Sequence, residues 1–210
     1  MKTLILFLFN LFLLNISFAQ QKAVTESGEE VILYNDKTWK YLNDEENKEN
    51  IISLNSKKFT KDENSTFLLK SKKLNVGFWL DPKVWSFKKS TNNPDAEYEF
   101  QLKDGDLYGM VITEKVEIPI ETLKSIAFEN AKSAAADIKI VKEEYRNVNG
   151  LKLLFLQMDG TIQGIKFSYY GYYFSNANGT VQFLTYTSQV LLNTYVKECE
   201  ALLNGLVVLN

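Results

Sequence analysis

Glu143 and Asp159 are the carboxylates that hydrolytic chemistry would recruit in this chain. Two such groups in one cleft can divide acid and base roles when their surroundings separate their pKa values. Nothing in the sequence brings these two together, and Glu143 with its neighbour Glu144 reads as part of a solvated strand. Cys199 is the only cysteine. At helical spacing it shares a stripe with Leu192, Tyr195, Leu202 and Leu206, the setting of an inert core thiol rather than a nucleophile. No histidine occurs anywhere. That absence removes Ser-His-Asp and Cys-His nucleophiles, imidazole acid catalysis and most zinc or haem designs. No catalytic residue, metal ligand or cofactor is expected, and the chain is read as not being an enzyme.

Aromatic residues carry what binding potential there is. The stretch "IKFSYYGYYFSNANGTVQFLTYTS", residues 165–188, places rings at nearly every other position around one Asn-Gly. As a strand, residues 166–174 send Phe167, Tyr169, Gly171 and Tyr173 one way and Ser168, Tyr170, Tyr172 and Phe174 the other. A strand apolar on both faces belongs at the centre of a sheet covered on both sides. The competing reading is an open groove lined by Tyr169, Tyr173 and Tyr186, with Gly171 admitting a ligand or a helix. Trp39 and Tyr41, on one side of a short strand near the N-terminus, are the candidate surface for a protein partner.

The elements that must position these residues follow from punctuation and period. Residues 1–19 read as a signal peptide, with Lys2, an apolar run over 4–14 and Ser17-Phe18-Ala19 at the cleavage spacing. The run is too short to span a bilayer, so no membrane span is expected after cleavage. The chain is expected to be exported, either periplasmic or secreted. A net charge of −2 without a basic cluster argues against nucleic acid. One thiol forms no internal disulfide, so the core must supply the stability.

Residues 20–42 are expected to form a small β-hairpin unit, with Ser27-Gly28 and Asn35-Asp36 as turn residues. Residues 43–57, containing "NDEENKEN", read as an acidic polar linker without calcium-loop spacing. Residues 58–210 form the main domain. In it, "AEYEFQLKDGDLYGMVITEK" is a hairpin in which Tyr98, Phe100 and Leu102 alternate with Glu97, Glu99 and Gln101. "IPIETLKSIAFENAKSAAA" then changes period, placing Leu123, Ile126, Ala127, Asn130, Ala131 and Ala134 on one helical face after Pro119. Asn149-Gly150, Asp159-Gly160 and Asn178-Gly179 punctuate a meander of about four strands, and an amphipathic helix over 191–206 closes the chain.

In their order, "NVGFWLDPKVWSF", the "EYEFQLKDGDLYGMVITEK" hairpin, the "IETLKSIAFENAKSAA" helix, "VNGLKLLFLQMDG", the tyrosine hairpin and a closing helix with "ECEALLNGL" resemble the PsbP-like superfamily. The resemblance covers about residues 74–208 and is to the superfamily that includes bacterial exported relatives of the DcrB type. It implies an α+β fold, an antiparallel β-sheet sandwiched between α-helices, and a non-catalytic accessory or binding role without shared site residues. Three functions are thus in play. The first is an exported module that binds an envelope protein through Trp39 and Tyr41. The second is a small-molecule or lipid binder using Tyr169, Tyr173 and Tyr186. The third is a hydrolase built on Glu143 and Asp159.

Overall fold

The structure, a computed structural model, describes residues 21–25, 28, 30–34, 37–42, 52–91 and 93–209. The signal segment, residues 43–51 and the turn residues Ser27, Asn35 and Asp36 lie outside the described residues. The chain divides into two units, Met1–Ile51 and Ile52–Asn210.

The first unit holds an antiparallel sheet of three short strands, β1 (Gln21–Val24), β2 (Glu30–Leu33) and β3 (Trp39–Tyr41), in the order β1-β2-β3. It is one strand larger than the expected hairpin, because Gln21–Val24 pairs with Glu30–Leu33 in continuous register. Val31 is buried within it, whereas Trp39 is 53% exposed.

The second unit is built on an eight-stranded sheet. Its strands are β4 (Leu54–Phe59), β7 (Trp85–Lys89), β8 (Ala96–Leu102), β9 (Tyr108–Glu114), β10 (Lys139–Val148), β11 (Leu151–Ile162), β12 (Ile165–Asn176) and β13 (Gly179–Ser188). They run in the order β4-β10-β11-β12-β13-β9-β8-β7, antiparallel throughout except for the β4–β10 edge. A second sheet has the order β14-β6-β5, from β5 (Phe67–Lys70), β6 (Val76–Leu80) and β14 (Leu206–Val208). Two helices complete the described unit, α1 (Ile120–Ala134) and α2 (Gln189–Leu203). The first strand starts at Leu54, inside the stretch 43–57 read as linker.

β12 sits fourth in the sheet, and both of its faces are covered. Tyr170 and Tyr172 pack with Phe155, Val181 and Phe183 beneath α2 and the small sheet, through Leu192, Cys199, Phe78 and Leu206. Tyr173 packs on Leu123 and Ala127 of α1, and Phe167 on Ala131 and Ala135 beyond it. The alternation read from the sequence is therefore a two-sided core, as a strand apolar on both faces requires. Cys199 is fully buried in the α2 layer, and burial pushes its thiol up to about 12.

Several local expectations are corrected. Asp159-Gly160 lies inside β11, and the turn falls at Gln163-Gly164, where φ values of 51° and 82° make the two-residue hairpin turn. Gly160 is needed for packing instead: a Cβ there would meet Ile138 Cδ1 at 2.7 Å and Ala135 Cβ at 3.1 Å. On α1, Leu123, Ala127 and Ala131 are buried as expected, but Ile126 is exposed, at the edge of the stripe. Glu97 is buried because β8 shifts register between Ala96 and Tyr98. That irregularity brings its carboxylate to Ser71 Oγ (2.7 Å), Thr113 Oγ1 (2.5 Å) and the Lys72 amide (2.5 Å), all three of which donate to it.

Gly171 is the tightest point of the central strand pair. A Cβ there would lie 2.7 Å from Leu184 Cβ and 3.1 Å from the Phe183 carbonyl oxygen. The glycine thus admits the neighbouring strand, not a ligand or a helix. Gly171→Ala is expected to lower stability by about 1–3 kcal/mol through overpacking, read as an earlier midpoint in urea unfolding. An unchanged midpoint would contradict this packing.

Candidate functional site

An α-helix with its side chains is about 10 Å wide, enough for two strands at their spacing of about 4.8 Å. α1 presents a face of alanines, Ala127, Ala131 and Ala135 at its end, and so lies close against β11 and β12. The next strands, β13 and β9, carry their side chains past its edge. The result is a cleft of about 300 Å³ between α1, the 93–95 segment and the sheet. Its floor is made by directly opposed pairs on one face, Gln182 with Ile112 and Leu184 with Met110. Tyr169 and Tyr173 from β12 form one wall, and Asn130 and Ser133 of α1 overhang it.

Some polar groups of this cleft are already paired: Ser133 Oγ donates to the Asn130 carbonyl oxygen at 2.7 Å, and the Asn93 side-chain amide donates to Met110 Sδ at 3.8 Å. Gln182 is only 6% exposed and Tyr173 2%. Among the described residues, the Gln182 amide and the Tyr169 and Tyr173 hydroxyls make no hydrogen bond to a protein group. Burial raises the Tyr173 pKa, with Tyr169 beside it adding to the effect, and burial also raises that of Tyr169. Both hydroxyls stay protonated through the physiological range, each offering one donor and an acceptor. Asp95 is the one charged residue in the lining.

Two of the three expected groove tyrosines, Tyr169 and Tyr173, thus meet in one cleft. Tyr186 pairs with Tyr169 across the strands, their ring centroids 6.0 Å apart, but lines a neighbouring cleft of about 220 Å³ with Tyr108, Glu99 and Gln101. Trp39 and Tyr41 lie in the other unit, where their rings meet edge to face at 5.2 Å. Glu143 and Asp159 are not brought together. Glu143 stands opposite Leu156 on the α1 side and pairs with Lys124 of α1. Asp159, an odd number of residues along β11, points to the other side and accepts from Ser168 Oγ at 2.7 Å. Among the described residues no group of three or more His, Cys, Asp or Glu side chains is placed to hold a metal.

Sequence reasoning missed the most buried charge of all. Arg146, the only arginine in the chain, is 2% exposed. Its Nε donates to Glu144 Oε1 at 2.6 Å, and Nη1 reaches Tyr170 Oη (3.3 Å), Tyr172 Oη (3.2 Å) and Glu200 Oε1 (3.2 Å). The guanidinium carbon lies 3.8 Å from the Phe155 ring centroid and 4.6 Å from that of Phe59. Glu144, read as solvated, is buried and also accepts from Asn55 Nδ2 at 3.1 Å. The available signal was composition: one arginine among many lysines, at the same strand parity as Glu144 and Val148. A planar fork that both stacks and donates is something lysine cannot supply.

This cluster generates two expected outcomes. Arg146→Met removes the buried cation that Glu144 and Glu200 share, leaving them only the exposed Lys142 and Lys57 at 3.6 Å and 3.8 Å, at a cost of about 3 kcal/mol or more. Adding Glu144→Gln and Glu200→Gln to that variant recovers part of the loss in chemical unfolding; no recovery would contradict a charge-pairing role. Burial alone would raise the Glu144 pKa, but the Arg146 hydrogen bond, then Asn55, brings it below the ordinary 4.5. A depressed carboxylate pKa stabilises the fold above about pH 4.5, and that contribution disappears as pH falls through the folded-state value. Melting curves should therefore fall more steeply with acid below pH 4.5 for the native chain than for Glu144→Gln, and parallel curves would count against it.

No family model matches the chain, and no curated protein matches it in sequence. Solved structures do match in fold. The solution structure of cyanobacterial PsbP (CyanoP) from Synechocystis sp. PCC 6803 superposes with a TM-score of 0.51 at 14% identity, over 70% of this chain and 94% of that one. LpqN, involved in cell envelope biogenesis of Mycobacterium tuberculosis, superposes with a TM-score of 0.45 at 7% identity, over 69% and 90% of the two chains. Among the described residues no helix is long and apolar enough to cross a membrane. With a central strand covered by helices on both faces and CyanoP superposed over nearly its whole length, the second unit has the PsbP-like fold.

Proposed function

We propose that this chain is an exported, non-catalytic binding protein that holds a small molecule in the cleft between α1 and the β13–β9 floor. The observation that carries this reading is the Gln182 amide, nearly buried and without a hydrogen-bond partner among the described residues, in a cleft of about 300 Å³. The amide lines the cleft, where a ligand group that pairs with it would gain a hydrogen bond worth about 1 kcal/mol. The cleft reaches the lower end of the volumes usual for small-molecule sites, roughly 300 Å³. Export rests on the signal-like residues 1–19. The non-catalytic reading is supported by the absence of histidine and by the opposite orientation of Glu143 and Asp159.

A second reading, an envelope protein partner, is favoured by one observation: Trp39 stays half exposed although Tyr41 packs beside it. Aromatic residues of this kind are enriched among binding anchors. Replacing both Trp39 and Tyr41 by alanine should abolish specific capture of envelope proteins by the tagged chain, and an unchanged set of captured proteins would end that reading.

The cleft is tested by native mass spectrometry of the protein purified from its host. A retained adduct is expected. Asn130→Trp, which places a ring over the cleft from an exposed helix position, should remove the adduct without lowering the melting temperature. An adduct that survives this substitution, or an apo mass alone, would overturn the proposal.

A further inference from the structure

The cleft continues beyond its own walls. Gln182, Leu184 and Tyr186 of β13 stand opposite Ile112, Met110 and Tyr108 of β9, all on the α1 side of the sheet. The first two pairs floor the cleft under α1, and the third floors the neighbouring cleft of about 220 Å³. From Gln182 to Tyr186 this floor runs roughly 13 Å along the strands. At its far end the Tyr108 and Tyr186 rings lie near-parallel, 21° apart in plane with centroids at 5.6 Å, and Tyr169 meets Tyr186 edge to face. The floor is thus aliphatic at Ile112, Met110 and Leu184, with an amide at one end and two stacked tyrosines at the other.

We infer that the two clefts form a single elongated site for a short neutral oligosaccharide. This inference rests on the cleft being the binding site and names its ligand class. The lining disfavours three other classes. An anion would need an unpaired cation, but Lys88, the one cationic side chain in either lining, is held by Glu99 at 3.1 Å. A lipid chain would cover the Gln182 amide and the tyrosine hydroxyls without pairing them, which is costly. A peptide that binds by strand addition needs a free sheet edge. β13 and β9 offer none, because β13 is paired to β12 and β9, and β9 to β13 and β8. A sugar ring has hydroxyls that donate and accept around its rim and C–H faces that pack on aromatic rings. Tyrosine, with its rigid apolar ring and polar tip, and amides that adapt their hydrogen bonds, suit that dual surface.

The test is calorimetric titration of the exported, purified chain with chitotriose, maltotriose and cellotriose, with trialanine as the peptide comparison. Saturable binding of at least one trisaccharide is expected. Gln182→Leu should weaken it roughly tenfold, the worth of about one hydrogen bond. Tyr186→Ala, at a half-buried position, should weaken it comparably while leaving the melting temperature close to that of the native chain. No binding of any trisaccharide, binding indifferent to both substitutions, or trialanine binding as tightly as the best sugar would overturn the inference. If native mass spectrometry then finds a retained adduct of non-carbohydrate mass that Asn130→Trp removes, only the ligand class has failed. An apo mass alone removes the cleft reading as well.

Discussion

One helix cannot cover eight strands. At about 10 Å across, α1 lies over β10, β11 and β12 of a sheet that spans roughly 34 Å. The opposite face is served better, by α2 together with the three-stranded β14-β6-β5 sheet, which between them bury Phe155, Tyr170, Tyr172 and Phe183. The two sides of the molecule therefore differ in kind: one is a closed core and the other a partly roofed sheet. What lies beneath the missing roof is decided by the sequence of β13 and β9. Their side chains on that face, Gln182, Leu184, Tyr186 and Tyr108, mix apolar area with hydrogen-bonding groups.

The closed side has its own unusual constraint in Arg146. Its carboxylate partners come from β10 and α2, its hydroxyl partners from β12, and its stacked rings from β4 and β11. Such a cluster ties the parallel edge strand β4 to the helix layer through one side chain. Buried ion pairs are poor sources of net stability, since desolvation offsets most of the attraction. Removing one partner is costly all the same, because it leaves an uncompensated charge in the core. β4 joins β10 through an irregular pairing, with Tyr145 opposite Leu54 and Asn147 opposite Lys58.

How far the sequence could be read depends on whether a feature is local. The two-faced alternation of Phe167 to Phe174 specified the central strand, because side-chain parity needs no knowledge of the partner. Alanine periodicity in residues 120–134 specified α1 for the same reason. Asp159-Gly160 misled because the same dipeptide serves a turn or a close approach, and only the distant Ile138 and Ala135 decide between them. Glu97 and Glu144 misled because a carboxylate looks solvated until its partners, Ser71 and Thr113 or Arg146 and Asn55, are brought in by other strands. Tyr169 and Tyr173 were legible as wall residues, whereas Gln182 was not. Its significance lies in lacking a partner, which no sequence can express.

The two faces of β13 and β9 are unequal, one sealed and one accessible. Hydroxyl-radical footprinting read by mass spectrometry measures this tyrosine by tyrosine. Tyr108 and Tyr186 should be oxidised readily while Tyr170 and Tyr172, on the adjoining strand's opposite face, stay protected in the native chain. Comparable oxidation of Tyr172 and Tyr186, or protection of Tyr108 and Tyr186 alongside the core, would contradict it.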